Sequence, residues 1–301
     1  MLIDLYGRPL KSLRICVTTR CNYRCIYCHS EGVDRSIDSE LTPEEIEIVA
    51  RAASRLGISD FKLTGGEPLV RQDIIEIVSR LSRYGEVSIT TNGFFLADLA
   101  GRLAEAGLKR VNVSVPSTRR SRYSYITKVD ALNRVLDGIR AAYDYSLKPI
   151  TINTVVLKSL NDDELDDLLN LATRFEARLR LIELEPIASG SQIFANYYRS
   201  LEDFEKIIAE RAVRSYKREL NGRNVYVLDN GIEVEFVRWV SKKEFCYGCY
   251  RVRLDPDGRL RPCIAVDDGI DLRYALRPYP REKDVVEAIT LVNLMRRPFY
   301  R

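Results

Sequence analysis

The sequence predicts an α/β fold, an incomplete (β/α)6 TIM-like barrel with a C-terminal α+β extension. Three observations predict it. First, β-branched runs alternate with amphipathic helical stretches through the first two thirds of the 301 residues. That rhythm builds parallel sheets with right-handed crossovers. Second, chemically distinctive segments fall just behind several different predicted strands, where barrel sheets collect functional residues. Third, hairpin signals take over after about residue 190. An open doubly wound sheet fits the first observation equally well, and the second favours the barrel.

Strands are expected at 13–19 (LRICVTT), 60–64 (DFKLT), 86–91 (EVSITT), 109–115 (KRVNVSV), 150–157 (ITINTVVL) and 178–185 (RLRLIELE). Helical patterns fill the gaps. In LTPEEIEIVARAASRLG, Thr42 can cap, Pro43 suits the first helical position and Glu45 completes a capping box. Ile46, Val49, Ala50, Ala53 and Leu56 then make one apolar stripe, and Gly57 stops the helix. The same logic is expected in NDDELDDLLNLA, with Asn161 capping, Glu164 answering it, and Leu165, Leu168, Leu169 and Ala172 facing the core. A further helix is expected around 201–213. Two hairpins should then turn at Asn230-Gly231 and Asp257-Gly258. No linker or short repeat interrupts the chain. The division expected is 1–190 for the partial barrel and 191–301 for an extension packed on it.

Composition excludes several classes. Apolar residues make up 46% and charged residues 30% of the chain, as in globular proteins. No apolar run reaches the ~18 residues of a membrane span, and the N-terminus lacks the pattern of a signal peptide. A cytoplasmic location is expected. The net charge of +4 is small against 47 basic and 43 acidic residues, which argues against a dedicated nucleic-acid binder with its basic blocks. Seven cysteines in a reducing compartment point to metal or redox chemistry before disulfides.

Six of those cysteines form two trios. Cys21, Cys25 and Cys28 are spaced C-x3-C-x2-C on a loop behind the first strand, with His29, the single histidine, next to the last. Three thiolates can hold three irons of a [4Fe–4S] cluster and leave the fourth iron open to a small molecule. A structural zinc site is the alternative, but it needs a closed tetrahedron, and adjacent side chains such as Cys28 and His29 seldom both reach one metal. Cys246, Cys249 and Cys263 make the second trio, and the turn at Asp257-Gly258 can fold Cys263 back beside the pair. Two clusters are one reading; a shared structural metal site or a zinc knuckle is the other. Cys16, inside a strand, reads as packing.

CNYRCIYC followed by LTGGEPLVR resembles the signature of radical S-adenosylmethionine (SAM) enzymes. The second trio, with CYRVRL and DGRLRPC, resembles one branch of them, the GTP 3',8-cyclases of molybdenum cofactor biosynthesis. The likeness runs nearly end to end, through GRPLKSLRICVTTRC, TTNGFFLADLAGRLAEAGLKRVNVS and NTVVLKSLNDDE. YCHSEG, LIELEP and the ending RRPFYR look most like archaeal members. The resemblance implies an enzyme with two [4Fe–4S] clusters. SAM would bind the open iron of the first and be cleaved by one electron to methionine and a 5'-deoxyadenosyl radical. That radical would take the 3'-hydrogen of GTP, and C3' would close onto C8 of guanine to give 3',8-cyclo-7,8-dihydro-GTP. An external electron donor and a downstream pyranopterin-forming enzyme are the implied partners, with no membrane and no nucleic acid; a homodimer is left open.

Residue by residue, the resemblance implies Cys21, Cys25, Cys28, Cys246, Cys249 and Cys263 as metal ligands and Tyr27, Gly66 and Ser114 as SAM contacts. Arg14, Lys62, Thr90, Arg180, Arg251 and Arg253 are the implied GTP contacts, with Arg251 and Arg253 also carrying the catalytic role. Arginine suits phosphate because its planar donors bind in pairs and keep their charge. Arg251 and Arg253 alternate on one predicted strand and should face one side. Gly65 and Gly66 would let the backbone approach SAM. Four departures stand out. Thr151 occupies a position where the family often has lysine, with Lys148 a nearby substitute. Pro116 replaces a carboxylate, Glu185 stands where bacterial members have methionine, and the bacterial Gly-Gly tail is absent. A different two-cluster radical SAM enzyme, such as a peptide modifier, is the runner-up, but those carry more auxiliary cysteines and lack Cys-x-Arg-x-Arg. A zinc-stapled binding module is the reading without catalysis.

Overall fold

The computed structural model describes residues 1–33 and 35–299. The barrel half contains β1 (Ser12–Cys16), α1 (Pro43–Arg55), β2 (Asp60–Thr64), α2 (Ile74–Leu81), β3 (Glu86–Thr91), α3 (Leu96–Glu105), β4 (Leu108–Ser114), α4 (Arg120–Thr127), α5 (Leu132–Asp144), β5 (Ile150–Val156), α6 (Leu165–Arg174) and β6 (Arg178–Glu183). There follow α7 (Ser189–Tyr197), α8 (Glu202–Arg211), β7 (Ala212–Lys217), β8 (Asn224–Leu228), β9 (Glu233–Val237), β10 (Arg251–Leu254), β11 (Arg259–Arg261), β12 (Ile270–Asp271), α9 (Arg273–Leu276) and α10 (Glu282–Met295).

The twelve strands of the described residues join one open sheet, ordered β12-β11-β10-β1-β2-β3-β4-β5-β6-β9-β8-β7. The six expected strands form its centre. The extension continues this same sheet. Its strands lengthen the sheet at both edges. β9 pairs parallel with β6, and β10 pairs parallel with β1. The two hairpins hang outside these: β8–β9 turns at Asn230-Gly231, where the Leu228 N–H donates to the Ile232 carbonyl (2.9 Å), and β10–β11 turns at Asp257-Gly258. The reason is an edge problem. Six parallel strands cannot close a barrel of this shape, so both edges carry unpaired backbone that the remaining chain satisfies. The sequence reading missed α10, which lies against α1 with Arg51 Nε donating to Glu282 Oε2 (2.7 Å).

Alternation along each strand separates two faces. Leu13, Ile15, Phe61, Leu63, Val111, Val113, Ile152, Leu179 and Leu181 are buried together with the apolar stripes of the helices. The opposite face carries Arg14, Lys62, Ser88, Asn112, Asn153, Arg180 and Glu235. Parallel strands covered on both sides usually read as unbroken apolar runs. Polar residues at every second position mean that the inner face looks onto something other than packed side chains.

α1 starts as expected: Thr42 accepts from the Glu45 N–H (3.2 Å) and Glu45 accepts from the Thr42 N–H (2.9 Å). The analogous expectation for α6 fails. α6 has no side-chain cap, and Asn161 and Glu164 are buried at 2% and 0% exposure. Asn161 Nδ2 donates to the Pro116 (2.6 Å) and Val155 (2.8 Å) carbonyls, and Oδ1 accepts from the Leu157 N–H (2.7 Å). Glu164 accepts from the Ser117 hydroxyl (2.8 Å), the Thr118 N–H (2.8 Å) and Arg122 (3.0 Å). Satisfying buried backbone outweighs a helix cap, which contributes about 1 kcal/mol. Asn161→Ala should therefore cost about 3 kcal/mol, since it strands two buried backbone groups and a third that is half-buried. Urea unfolding of the variant and the parent checks this; a loss no larger than that of an ordinary cap would contradict the strut role.

Candidate active site

The inner face of the sheet encloses a cavity of about 320 Å³. Every residue singled out from the sequence as ligand or contact lines it: both cysteine trios, Tyr27, Gly66 and Ser114, and the set Arg14, Lys62, Thr90, Arg180, Arg251 and Arg253. Strand register sets the cations side by side. Arg14 of β1 stands opposite Arg253 of β10 on one flank and Lys62 of β2 on the other. On the far wall Asn153 stands opposite Arg180, and Arg180 opposite Glu235.

Two buried carboxylates hold this cationic layer. Glu31 accepts from Thr64 Oγ1 (2.7 Å), from Arg14 (3.4 Å) and from Arg253. Burial opposes its charge, but Arg14 and Arg253 win and hold the carboxyl far below the usual range. Glu235 accepts from Arg180 Nε (2.7 Å) and pairs with Arg223 (3.0 Å) and Arg218 (3.6 Å). Positive charge still exceeds negative. Burial and neighbouring arginines push Arg14 down to about 10 and Arg223 down to about 9. Lys62 falls well below its ordinary value, through burial first and then Arg180 and Arg14. A site that disfavours its own cations is built to receive an anion.

The first trio sits on the loop after β1. The Tyr23 N–H points at Cys21 Sγ and the Ser30 N–H at Cys28 Sγ (both 3.4 Å). Tyr27 hydrogen-bonds to Cys25 through its hydroxyl. Burial and the neighbouring Cys28 and Cys21 push the Cys25 thiol up to about 12. The GGEP turn after β2 clasps this loop, with the Gly66 N–H donating to the Thr18 carbonyl (2.7 Å) and the Glu67 N–H to the Arg20 carbonyl (2.8 Å). A Cβ on Gly66 would lie 2.3 Å from the Arg20 oxygen, so the protein's own backbone already requires glycine there. Glu67, bonded to Thr91 (2.7 Å) and the Asn92 N–H (2.6 Å), is raised by burial to about 7.

The second trio comes from the β9–β10 connection and the end of β11. Asn221, at φ +59°, lets its N–H donate to the Gly248 carbonyl (2.7 Å) and its side chain to the Phe245 carbonyl (2.7 Å). Its Oδ1 accepts from Arg251 (3.3 Å). Arg251 and Arg253 do face one side, as alternation requires. The Cys249 thiol is disfavoured as an anion by burial, yet Arg251 pulls it below its usual value.

Sequence reasoning missed Glu31, Asn153, Asn221, Arg223 and Glu235. Lone polar and charged residues carry no spacing signal, and only the polar alternation within β5 and β9 could have found two of them, Asn153 and Glu235. Lys148 is corrected: it precedes β5 at the far end of the sheet, and its Nζ pairs with Glu176 (2.8 Å). Thr151 is buried outside the cavity lining, whereas Asn153 lies within it. His29 accepts the Glu31 N–H at Nδ1 (3.0 Å). Buried Cys16 packs, as expected.

Cys21, Cys25 and Cys28, on the loop behind β1, suit the iron–sulfur cluster of a radical SAM site. Among the described residues no three His, Cys, Asp or Glu side chains converge as they would around one metal ion. A cubane takes each thiolate at a different iron and needs no such convergence. The Cys25 thiol, whose proton is held more tightly through burial, becomes an anion only when a metal takes the proton's place. The N–H groups aimed at Cys21 and Cys28 match the hydrogen bonds that tune such sulfurs.

Comparison with known proteins agrees with this arrangement. Residues 15–172 match the Radical SAM superfamily profile, and residues 177–300 match Molybdenum Cofactor Synthesis C. A probable GTP 3',8-cyclase of Thermococcus kodakarensis is 44% identical, with all of both chains covered. One from Methanocaldococcus jannaschii is 40% identical over 91% of this chain and 92% of the relative. Among solved structures, Streptococcus suis SuiB bound to S-adenosylmethionine aligns with a TM-score of 0.66 at 16% identity, over 93% of this chain and 68% of that one. The structure of anSMEcpe with bound AdoMet aligns at 0.62 and 15% identity, over 94% and 81%; both likenesses concern the fold. The chain belongs to the radical SAM superfamily and, within it, to the family of the GTP 3',8-cyclases.

Proposed function

We propose that this enzyme cyclises GTP to 3',8-cyclo-7,8-dihydro-GTP, the first step of molybdenum cofactor biosynthesis. The observation that carries the reading is the surplus of register-matched cations between two thiol trios in one cavity. Guanidinium forks on adjacent strands suit a triphosphate, which brings the negative charge that Glu31 and Glu235 leave unsupplied. Arg14, Lys62, Arg180, Arg251 and Arg253, with Thr90, are proposed to hold GTP. Tyr27, Gly66 and Ser114 are proposed to hold SAM. Arg251 and Arg253 stand nearest the second trio in sequence and are proposed to fix the substrate while its bonds change.

Cys21, Cys25 and Cys28 would hold a [4Fe–4S] cluster, which would supply the electron that splits SAM. A second at Cys246, Cys249 and Cys263 is proposed as a binding point for the substrate. The cavity walls are proposed to exclude water from the reaction. In this division residues 1–190 provide the SAM half, and 191–301 provide the second trio with Arg251 and Arg253. An external electron donor, a pyranopterin-forming enzyme acting next and a cytoplasmic setting complete the proposal; among the described residues no helix is long and apolar enough to cross a membrane. Self-association as a homodimer is compatible with it.

The test uses anaerobically reconstituted, reduced protein with SAM and GTP deuterated at C3'. Deuterium should appear in 5'-deoxyadenosine, alongside a cyclised nucleotide. Equal 5'-deoxyadenosine with and without GTP would overturn the substrate assignment. Arg253→Ala should weaken GTP binding 10- to 100-fold, about 1.5–3 kcal/mol for a lost charge-assisted contact. Its iron content should not change, as equilibrium dialysis and iron analysis would check; loss of iron would mark Arg253 as structural instead.

A further inference from the structure

Two buried arginines outside the cationic row grip the second thiol loop from behind. Arg8 Nη1 donates to the Cys246 carbonyl (2.8 Å). Arg296 Nη2 donates to the Cys249 carbonyl and to that of Pro9 (3.3 Å). One carboxylate anchors both. Asp4 Oδ2 pairs with Arg8 Nε (2.7 Å) and lies 3.7 Å from Arg296 Nη1, while Oδ1 accepts the N–H groups of Tyr6 (2.9 Å) and Arg8 (3.0 Å). The side chains of Asp4, Arg8 and Arg296 are 0%, 6% and 1% exposed. Two guanidiniums against one carboxylate leave a buried positive charge beside the thiols.

Holding two carbonyls does not require that charge. A neutral amide donates to a carbonyl at less desolvation cost, and an uncompensated buried cation is strongly unfavourable. One further atom says where compensation comes from. Arg8 Nη2 is buried and has no hydrogen-bond partner among the described residues, and both arginines line the cavity. A buried donor left open beside thiols, with surplus positive charge, fits an anionic group at those thiols. Three thiolates outweigh the charge of an oxidised [4Fe–4S] core, so a cluster here is an anion, more so when reduced.

We infer that Arg8 and Arg296 are positioning residues for the group at Cys246, Cys249 and Cys263. They fix the backbone of two of the three thiols, and Arg8 Nη2 donates to the anion they hold. The inference rests on the proposed second cluster. Its consequence is electrical as well as mechanical: the buried charge favours the reduced form and raises the reduction potential of that centre.

The experiment compares full-length, anaerobically reconstituted parent, Arg8→Gln, Arg296→Gln and Asp4→Asn proteins by iron analysis and redox titration followed by electron paramagnetic resonance. The parent should hold about eight irons per chain. Each Gln variant should either drop towards four or keep its iron with a lower second potential, while the first centre's signal with SAM is unchanged. Asp4→Asn removes the countercharge and should shift the second potential upward, the opposite direction. Merely structural residues would not give opposite signs. Gln variants with full iron and the parent's potentials overturn the inference. If both Gln variants fail to fold, Asp4→Asn decides alone, and an unchanged or lower potential overturns it. A parent with only about four irons would instead defeat the second-cluster reading itself.

Discussion

The structure depends on keeping like charges side by side. Arg253, Arg14 and Lys62 occupy matched positions on three neighbouring parallel strands, and such strands run about 4.8 Å apart. Two unit charges at that spacing repel by roughly 3 kcal/mol at an intermediate effective dielectric. The fold tolerates this because Glu31 is driven into the row. Ser30, Glu31 and Gly32 all have positive φ, at 49°, 52° and 68°, an unusual run for two residues with side chains. Arg261 pins it by donating to the carbonyls of Glu31 (2.9 Å) and Gly32 (3.1 Å). Gly32 is obligatory, since a Cβ would meet the Ile264 oxygen at 2.3 Å. The segment after Cys28 is thereby locked to the residue beside Cys263, and the two thiol sites share one mechanical and electrostatic joint.

Much of this was legible in the sequence, and the reason is locality. All six central strands, the capping box of Thr42 and Glu45, and both Asx-Gly hairpins depend on residues within a few positions of each other. The cysteine trios were legible because ligand spacing is a chemical constraint that few other demands impose. Every residue carried over from the resemblance lines the one cavity, which local patterning alone would not have delivered for lone arginines such as Arg14 and Arg180.

What stayed hidden is non-local. The capping expectation for Asn161 and Glu164 used the right residue types, but their burial sends the same polar atoms to backbone across the β4 and β5 ends. Lys148 was proposed by nearness in sequence. Strand direction decides against it, because a residue before a parallel strand lies at the opposite end from one after it. Arg223 and Asn221 come from a short turn between β7 and β8 with no signal beyond an asparagine and a glycine. The placement of β9 and β10 at opposite edges could not be read at all, since each looks like an ordinary hairpin strand.

That placement explains why the C-terminal third must be part of the site. With β10 on one edge and β9 on the other, the chain between them spans the opening that six strands leave. This connection carries Cys246, Cys249 and Trp239, whose ring stacks on Phe299 at 5.6 Å beside the same cavity. A closed eight-stranded barrel would fill its interior with side chains. Leaving the sheet open and bridging it with one cysteine-bearing segment keeps room inside while still enclosing it. The bridge can hold its shape only if its backbone is fixed from outside, and Asn221 from one edge and Arg8 and Arg296 from the chain's two ends do this. The same segment therefore closes the cavity and supplies two of its second set of thiols, so the fold and the chemistry cannot be separated there.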